Sequence, residues 1–200
     1  MMILRSSPAS PFGRKVKIAA KLLGLWSQIN PVDADTTNPS DSLRQQNPLG
    51  QIPVLVLENG DAIYDSRVIV QYLQEVAGGE ALIPKQRDAY FATLQLEALA
   101  DGLQDAALLQ VYEQRWRDPA KHDAKWLQHQ ADKVARVLAY LEANQPDESN
   151  LLGNVAVACA LGYLDLRFGG VWRKDHPKLV DWLSRFELRV PAFAATRIAA

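Results

Sequence analysis

The sequence predicts a small α/β domain followed by an all-helical one. Three observations carry this. Strand-like apolar runs occur only before residue 65, the glycine pair Gly78-Gly79 interrupts the chain, and the long apolar patterns beyond Pro84 have a helical period. With 200 residues and 48% hydrophobic content, the chain can bury a sizeable core, which excludes a disordered or low-complexity protein.

The elements follow in order. Met1 to Leu4 is an apolar run, read as the first strand, and Ser7 to Gly13 is a loop by composition. Ser10 followed by Pro11 signals a helix start, with serine as the cap and proline at the first helical position. Val16, Ala19, Ala20 and Leu23 give that helix one apolar face, with Lys15, Lys17 and Lys21 mostly off it, and Gly24 as its stop. Ser27 to Val32 reads as a second strand, and the polar stretch to Gln46 holds one short helix around Leu43. Val54 to Leu57 is a third strand, Asn59-Gly60 a two-residue hairpin turn, and Ala62 to Tyr64 a fourth strand. Asp65-Ser66 opens a helix whose apolar residues Val68, Ile69, Tyr72, Leu73 and Val76 follow a period near 3.6. The order β-α-β-(α)-β-β-α is thioredoxin-like, and a right-handed crossover pairs the first two strands in parallel.

Residues 1–77 form this first domain, and 85–200 the helical one. Arg87 to Trp116 is one long helix and Lys121 to Asn144 another, with Leu127, Ala131, Val134, Leu138 and Leu141 at heptad-like spacing. Asn154 to Arg167 is apolar nearly all round and reads as a buried central helix. Pro177 to Arg189 is amphipathic through Leu179, Trp182, Leu183 and Phe186.

Charge and cysteine use narrow the function classes. The formal net charge is -1, from 22 basic and 23 acidic residues mixed along the chain, so there is no footprint for nucleic acid or an anionic membrane. The single cysteine, Cys159, excludes an intrachain disulfide and suits a reducing compartment. With no signal-like start and no apolar run of spanning length, the chain reads as cytoplasmic. No Cys/His cluster points to a metal, and His122 and His129, seven apart, read as solvated.

The segment richest in chemistry is Asn47-Pro-Leu-Gly-Gln-Ile-Pro-Val-Leu55 together with Asp65-Ser66. Pro53 lacks an N–H and pushes Ile52 toward extended geometry, which leaves the Ile52 backbone free to pair with a peptide ligand. The helix start at Ser66 offers N–H groups to a carboxylate. One short region thus presents two anchors for a small acidic peptide.

This pattern resembles the glutathione-binding half of the cytosolic glutathione S-transferases, in their bacterial, serine-type form. The closing stretch His176 to Phe193 is similar to that family's last helix, so the resemblance covers nearly the whole chain. It implies a cis proline at Pro53, glutathione held by Gln51, the Ile52 backbone, Pro53, Asp65 and Ser66, and glutathione as co-substrate without a metal. It also implies a homodimer in which an acidic residue on the long helix, read as Asp101, approaches the γ-glutamyl amine across the interface.

Glutathione transfer needs a thiolate near neutral pH, and a free thiol has a pKa of about 8.5. Ser10-Pro-Phe resembles the family's Ser/Cys-Pro-Phe helix start, which makes Ser10 the thiolate's hydrogen-bond donor, with Ser7 as runner-up. A plain helix cap also accounts for Ser10. Asp101 and Asp105 also fit a solvated stripe, and Tyr112 with Trp116 fit either a second-substrate pocket or core. The resemblance further places a Ser/Thr cap and an Asp at the start of the central helix, where Asn154 and Val157 are read here. The reading is conjugation of glutathione to a small apolar electrophile, with a role in detoxification. The alternative is a non-catalytic interaction protein on the same fold, like the bacterial stringent-starvation regulators. A thiol oxidoreductase is disfavoured because Cys159 falls in the buried helix.

Overall fold

A computed structural model describes residues 1–198. Four strands, β1 (Met2–Ser6), β2 (Ile29–Asp33), β3 (Val54–Val56) and β4 (Ala62–Ile63), form one sheet in the order β2-β1-β3-β4. β1 pairs parallel with β2 and antiparallel with β3, and β3 pairs antiparallel with β4. Helices α1 (Pro11–Leu22) and α3 (Ser66–Ala77) cover one face, burying Leu4, Val16, Ala20, Leu55, Ile69 and Leu73. The short α2 (Leu43–Gln46) seals the other face, where Leu43 meets Ala34 and Val54. This is the thioredoxin-like arrangement.

The helical part comprises α4 (Arg87–Trp116), α5 (Ala124–Ala143), α6 (Leu152–Phe168), α7 (Pro177–Arg189) and α8 (Pro191–Ala195). α6 is the centre, buried on nearly every side because its residues are apolar all round. It packs against α4 closely: a Cβ added at Gly153 would lie 2.9 Å from the Thr93 carbonyl oxygen, so only glycine admits this approach. α7 closes the bundle through Leu179, Trp182 and Phe186, with the Trp182 and Phe186 rings stacked 5.4 Å apart.

The α1 stop is a Schellman motif. Leu25 N–H bonds the Ala20 carbonyl, Gly24 N–H bonds that of Lys21, and Gly24 takes the left-handed φ of 71°. The Gly78–Pro84 connection is pinned rather than loose. The buried Gln74 amide accepts from the N–H groups of Leu82 and Ile83 and donates to the Ile83 carbonyl.

Several expectations need correction. The second strand begins at Ile29, because Trp26–Gln28 forms a 3-10 turn. The hairpin has a three-residue loop: Leu57 N–H bonds the Asp61 carbonyl, and only Gly60 has positive φ. Asn59 stays at negative φ while its amide exchanges bonds with Asp61. On α3 the buried set is Ser66, Ile69, Val70, Leu73 and Gln74, whereas Val68 and Val76 are exposed. The second long helix begins at Ala124, where Asp123 caps it, and residues 119–121 form a separate 3-10 turn.

Two further corrections concern polar residues. α6 starts earlier than predicted, with Leu151 at its cap, so Asn154 is the third helical residue and not the cap. Its amide donates to Asp147 and Ser149, tying down the preceding loop. Lys15, read only as lying off the apolar face of α1, is fully buried, because α1 has a second inward face toward the helical part.

Candidate functional site

The site is built from three chain segments meeting α4. The first is the start of α1. Ser10 caps it in extended geometry, and its Oγ accepts from the Gly13 N–H at 3.0 Å. Gly13 lets this helix start pack closely, since a Cβ would fall 1.9 Å from Ser6 Oγ and 3.2 Å from Ser6 Cβ and force Ser6 to shift. Among the described residues the Ser10 hydroxyl proton has no acceptor, so the side chain is both fixed and able to donate. Arg14, one turn on, anchors this helix end by donating to the Phe193 carbonyl at 2.6 Å and lying 3.9 Å above the Phe193 ring.

The second segment is the loop before β3. Asn47 shapes it: its amide donates to the Gln51 carbonyl and accepts from Leu49 N–H, while Gly50 turns back with φ of 62°. The Ile52–Pro53 peptide is cis. Ile52 lies outside the ladder, which begins at Val54, and its backbone forms no hydrogen bond among the described residues.

The third segment is the start of α3. Asp65 is its cap and accepts from Arg67 N–H at 3.0 Å, and Ser66 is buried as the first helical residue. The Ser66 N–H belongs to the helix's unpaired first turn and is directed to whatever lies beyond it.

These segments enclose a cleft of about 460 Å³. Ser10, Gln51, Ile52, Pro53, Asp65, Ser66 and Asp101 all line it, and so does Ser7. Of the aromatic pair, Tyr112 lines the cleft, but Trp116 is 60% exposed and does not. A neighbouring cavity of about 480 Å³ shares Ala9, Ser10, Pro11 and Tyr163 with it, and its other walls include Arg14, Asp165, Arg173 and Phe193. It contains none of the peptide anchors.

Three features of the cleft escaped sequence reasoning. Lys15 Nζ sits between Glu97, at 2.8 Å, and Asp101, at 2.9 Å, all three buried. Arg67 reaches from the α3 side, 3.1 Å from Asp65 and 3.6 Å from Asp101. Asp101 is therefore a carboxylate held between cations of its own chain. Burial raises the Glu97 carboxyl above its ordinary value despite the Lys15 charge; desolvation, then the Asp101 charge, raises Asp105 likewise. The third feature is the far end, where Arg115 and Tyr163 with Arg167 join Tyr112. The sequence signals for these features are slight: apolar Ile18 falls three residues from Lys15 on one helix face, and Tyr163 and Arg167 stand at helical spacing.

Cys159 is buried, and desolvation pushes its thiol up to about 11, so it is a core residue rather than a nucleophile. Among the described residues no group of three or more His, Cys, Asp or Glu could hold a metal ion, and no helix is long and apolar enough to cross a membrane.

Residues 9–76 match the family model for the glutathione S-transferase N-terminal domain. The uncharacterised GST-like protein YibF of Escherichia coli K12 is 35% identical over 98% of both chains. The chain belongs to the glutathione S-transferase family. A glutathione transferase family member from Pseudomonas fluorescens Pf-5, crystallised with bound glutathione, is 40% identical over the full length of both chains, with a TM-score of 0.91. A glutathione S-transferase from Methylobacillus flagellatus KT, also with glutathione bound, is 35% identical over both full chains, with a TM-score of 0.90. Ser10, the Gln51–Pro53 loop and the Asp65-Ser66 helix start lie within the part of the chain matching the family model, whereas the α4 and α6 walls of the cleft lie outside it.

Proposed function

We propose that this glutathione S-transferase binds glutathione in the cleft as its thiolate and transfers it to a small electrophile. The observation that carries the reading is the convergence of Ser10, the free Ile52 backbone and the Asp65-Ser66 helix start on one cleft. Ile52 would pair with the cysteinyl backbone, with Gln51 beside it. The Ser66 N–H would take the γ-glutamyl carboxylate, and Asp65 and Asp101 its ammonium. Ser10 would donate to the sulfur. The glutathione-bound structures of full-length relatives support this use of the fold.

The chemistry then needs little more from the protein. The thiolate sulfur forms a bond to carbon. In substitution the leaving group departs with its electron pair; in addition the pair moves onto a conjugated group and is protonated from solvent. A hydroxyl donor contributes about 1.5–3 kcal/mol and a helix end about 0.3–1 kcal/mol toward the charged form. Together these lower the thiol pKa by about one to three units, enough to make the thiolate the main species at pH 7. Serine at this position supports conjugation over thiol exchange, since it cannot form a mixed disulfide.

Calorimetric titration with glutathione and with an inert S-alkyl thioether tests the reading. Binding of both, with transfer to an electrophile, is expected. A folded protein that binds neither would favour a non-catalytic interaction protein of the same fold.

The homodimer stays within this proposal, supported by exposed apolar residues on α3 and the start of α4, Val68, Val76 and Phe91. Asp101 lines the cleft of its own chain, which supports action within one subunit rather than across the interface. Mixing Asp101→Asn chains with Ser10→Ala chains should then give no activity above the parents, because every site carries one defect. Recovery toward a wild-type site would show that Asp101 serves the partner.

A further inference from the structure

The face of α4 that lines the cleft changes character along its length. Asp101, Asp105, Leu108, Tyr112 and Arg115 follow one stripe, and all five border the cleft. The stripe runs acidic, apolar, aromatic and then basic over about 21 Å. An extended tripeptide spans only about 11 Å. Glutathione anchored at Ser66 and Asp101 therefore leaves the Tyr112–Arg115 end of the stripe for another molecule.

That end has a second basic wall. Tyr163 and Arg167 project from the last two turns of α6, one turn apart. The Arg115 guanidinium lies 5.6 Å from the Tyr112 ring centroid, and that of Arg167 lies 5.8 Å from the Tyr163 ring. Burial raises the Tyr163 hydroxyl, and the charges of Arg167 and Arg115 oppose that rise.

Among the described residues neither Arg115 nor Arg167 forms a salt bridge. The neighbouring pocket that Arg115 also borders holds Asp33, Asp35 and Asp41; Asp41 pairs with Arg5 and Asp35 bonds Thr37, and none of the three forms a salt bridge with Arg115. Two cations outside any salt bridge, beside two aromatic rings, suit a flat or short apolar body carrying a negative charge. A purely apolar acceptor would leave both guanidinium groups unused.

We propose that the acceptor compartment selects an electrophile bearing a carboxylate, its body placed between Tyr112 and Tyr163 and its charge held by Arg115 and Arg167. The proposal rests on the reading of the cleft as a glutathione site and replaces the apolar electrophile with an anionic one.

The test compares two glutathione thioethers of equal length, one S-(carboxyalkyl) and one S-alkyl, with glutathione itself measured alongside. Wild type should prefer the carboxylated thioether by about tenfold, the size of a solvent-screened charged hydrogen bond. The Arg115→Gln/Arg167→Gln variant should lose that preference while binding glutathione and the S-alkyl thioether as wild type does, which also shows that it is folded. Glutathione bound with no preference between the thioethers, or a preference the variant keeps, overturns the proposal alone. A wild-type protein that binds neither glutathione nor thioether overturns the reading of the cleft and the proposal with it. A variant that loses glutathione affinity together with the preference would assign the arginines to the tripeptide's own carboxylate, and this too overturns it.

Discussion

Replacing Lys15 with methionine should destabilise the protein by about 3–5 kcal/mol, the cost of leaving buried charge without its partner. Lys15 holds both Glu97 and Asp101, and its side chain is fully enclosed. Without it, two carboxylates face each other in a low-dielectric site. The loss should depend on pH with a definite sign. Burial already holds Glu97 above its ordinary value, and removing the opposing Lys15 charge raises it further. A carboxyl raised in the folded state contributes its stability below its unfolded pKa, and loses it as pH rises through the folded value. The gap between variant and wild type should therefore be widest in mildly alkaline buffer and narrow on acidification. Denaturant unfolding across that range measures it. A gap that widens on acidification would contradict the triad. Adding Glu97→Gln to the variant should recover part of the loss, since one buried charge is then gone.

The second large effect concerns Ser10. Ser10→Ala keeps the helix end but removes the donor, so glutathione should still bind. The apparent pKa of the bound thiol should rise by about one to two units, the equivalent of one hydrogen bond to a charged group. Transfer at pH 7 should fall by about tenfold or more, with part of the loss returning at higher pH. Ser10→Cys should behave differently. Its thiolate attacks oxidised glutathione, forming a protein–glutathione disulfide and releasing glutathione thiolate, which intact mass detects as one added glutathionyl group. An unshifted pH–rate profile with an unmodified cysteine would leave Ser10 as a helix cap only.

The parts of the site that could be read from sequence are those whose geometry is local. Asn47 to Pro53 is shaped by an asparagine turn, a positive-φ glycine and a proline, each of which announces its conformation in one residue. Asp65-Ser66 and Ser10-Pro11 are helix starts with ordinary capping chemistry. The same local logic misplaced the hairpin loop, because Asn59 uses its side chain on Asp61 instead of adopting positive φ. It also misplaced the α6 cap, because Leu151 starts that helix without a side-chain bond and sends no signal.

Features that depend on two distant elements were not legible. Lys15 reads as a surface residue until α4 supplies Glu97 and Asp101, more than eighty positions away. Arg115 and Arg167 carry no sequence pattern that joins them, and only the packing of α4 and α6 brings them to the same cleft. The apolar acceptor expected from sequence came from Tyr112 and Trp116, and Trp116 faces solvent instead. The peptide anchors are sequence-local, whereas the acceptor end is assembled only by helix packing.

The central claim is that the cleft holds glutathione as a thiolate, and the ultraviolet absorbance of the bound thiolate as a function of pH tests it most directly. Saturating glutathione on wild-type protein should titrate with a pKa about one to three units below the free value of about 8.5, and the Ser10→Ala complex should move back toward that value. A bound thiol that titrates as free glutathione does, in wild type and variant alike, would contradict it.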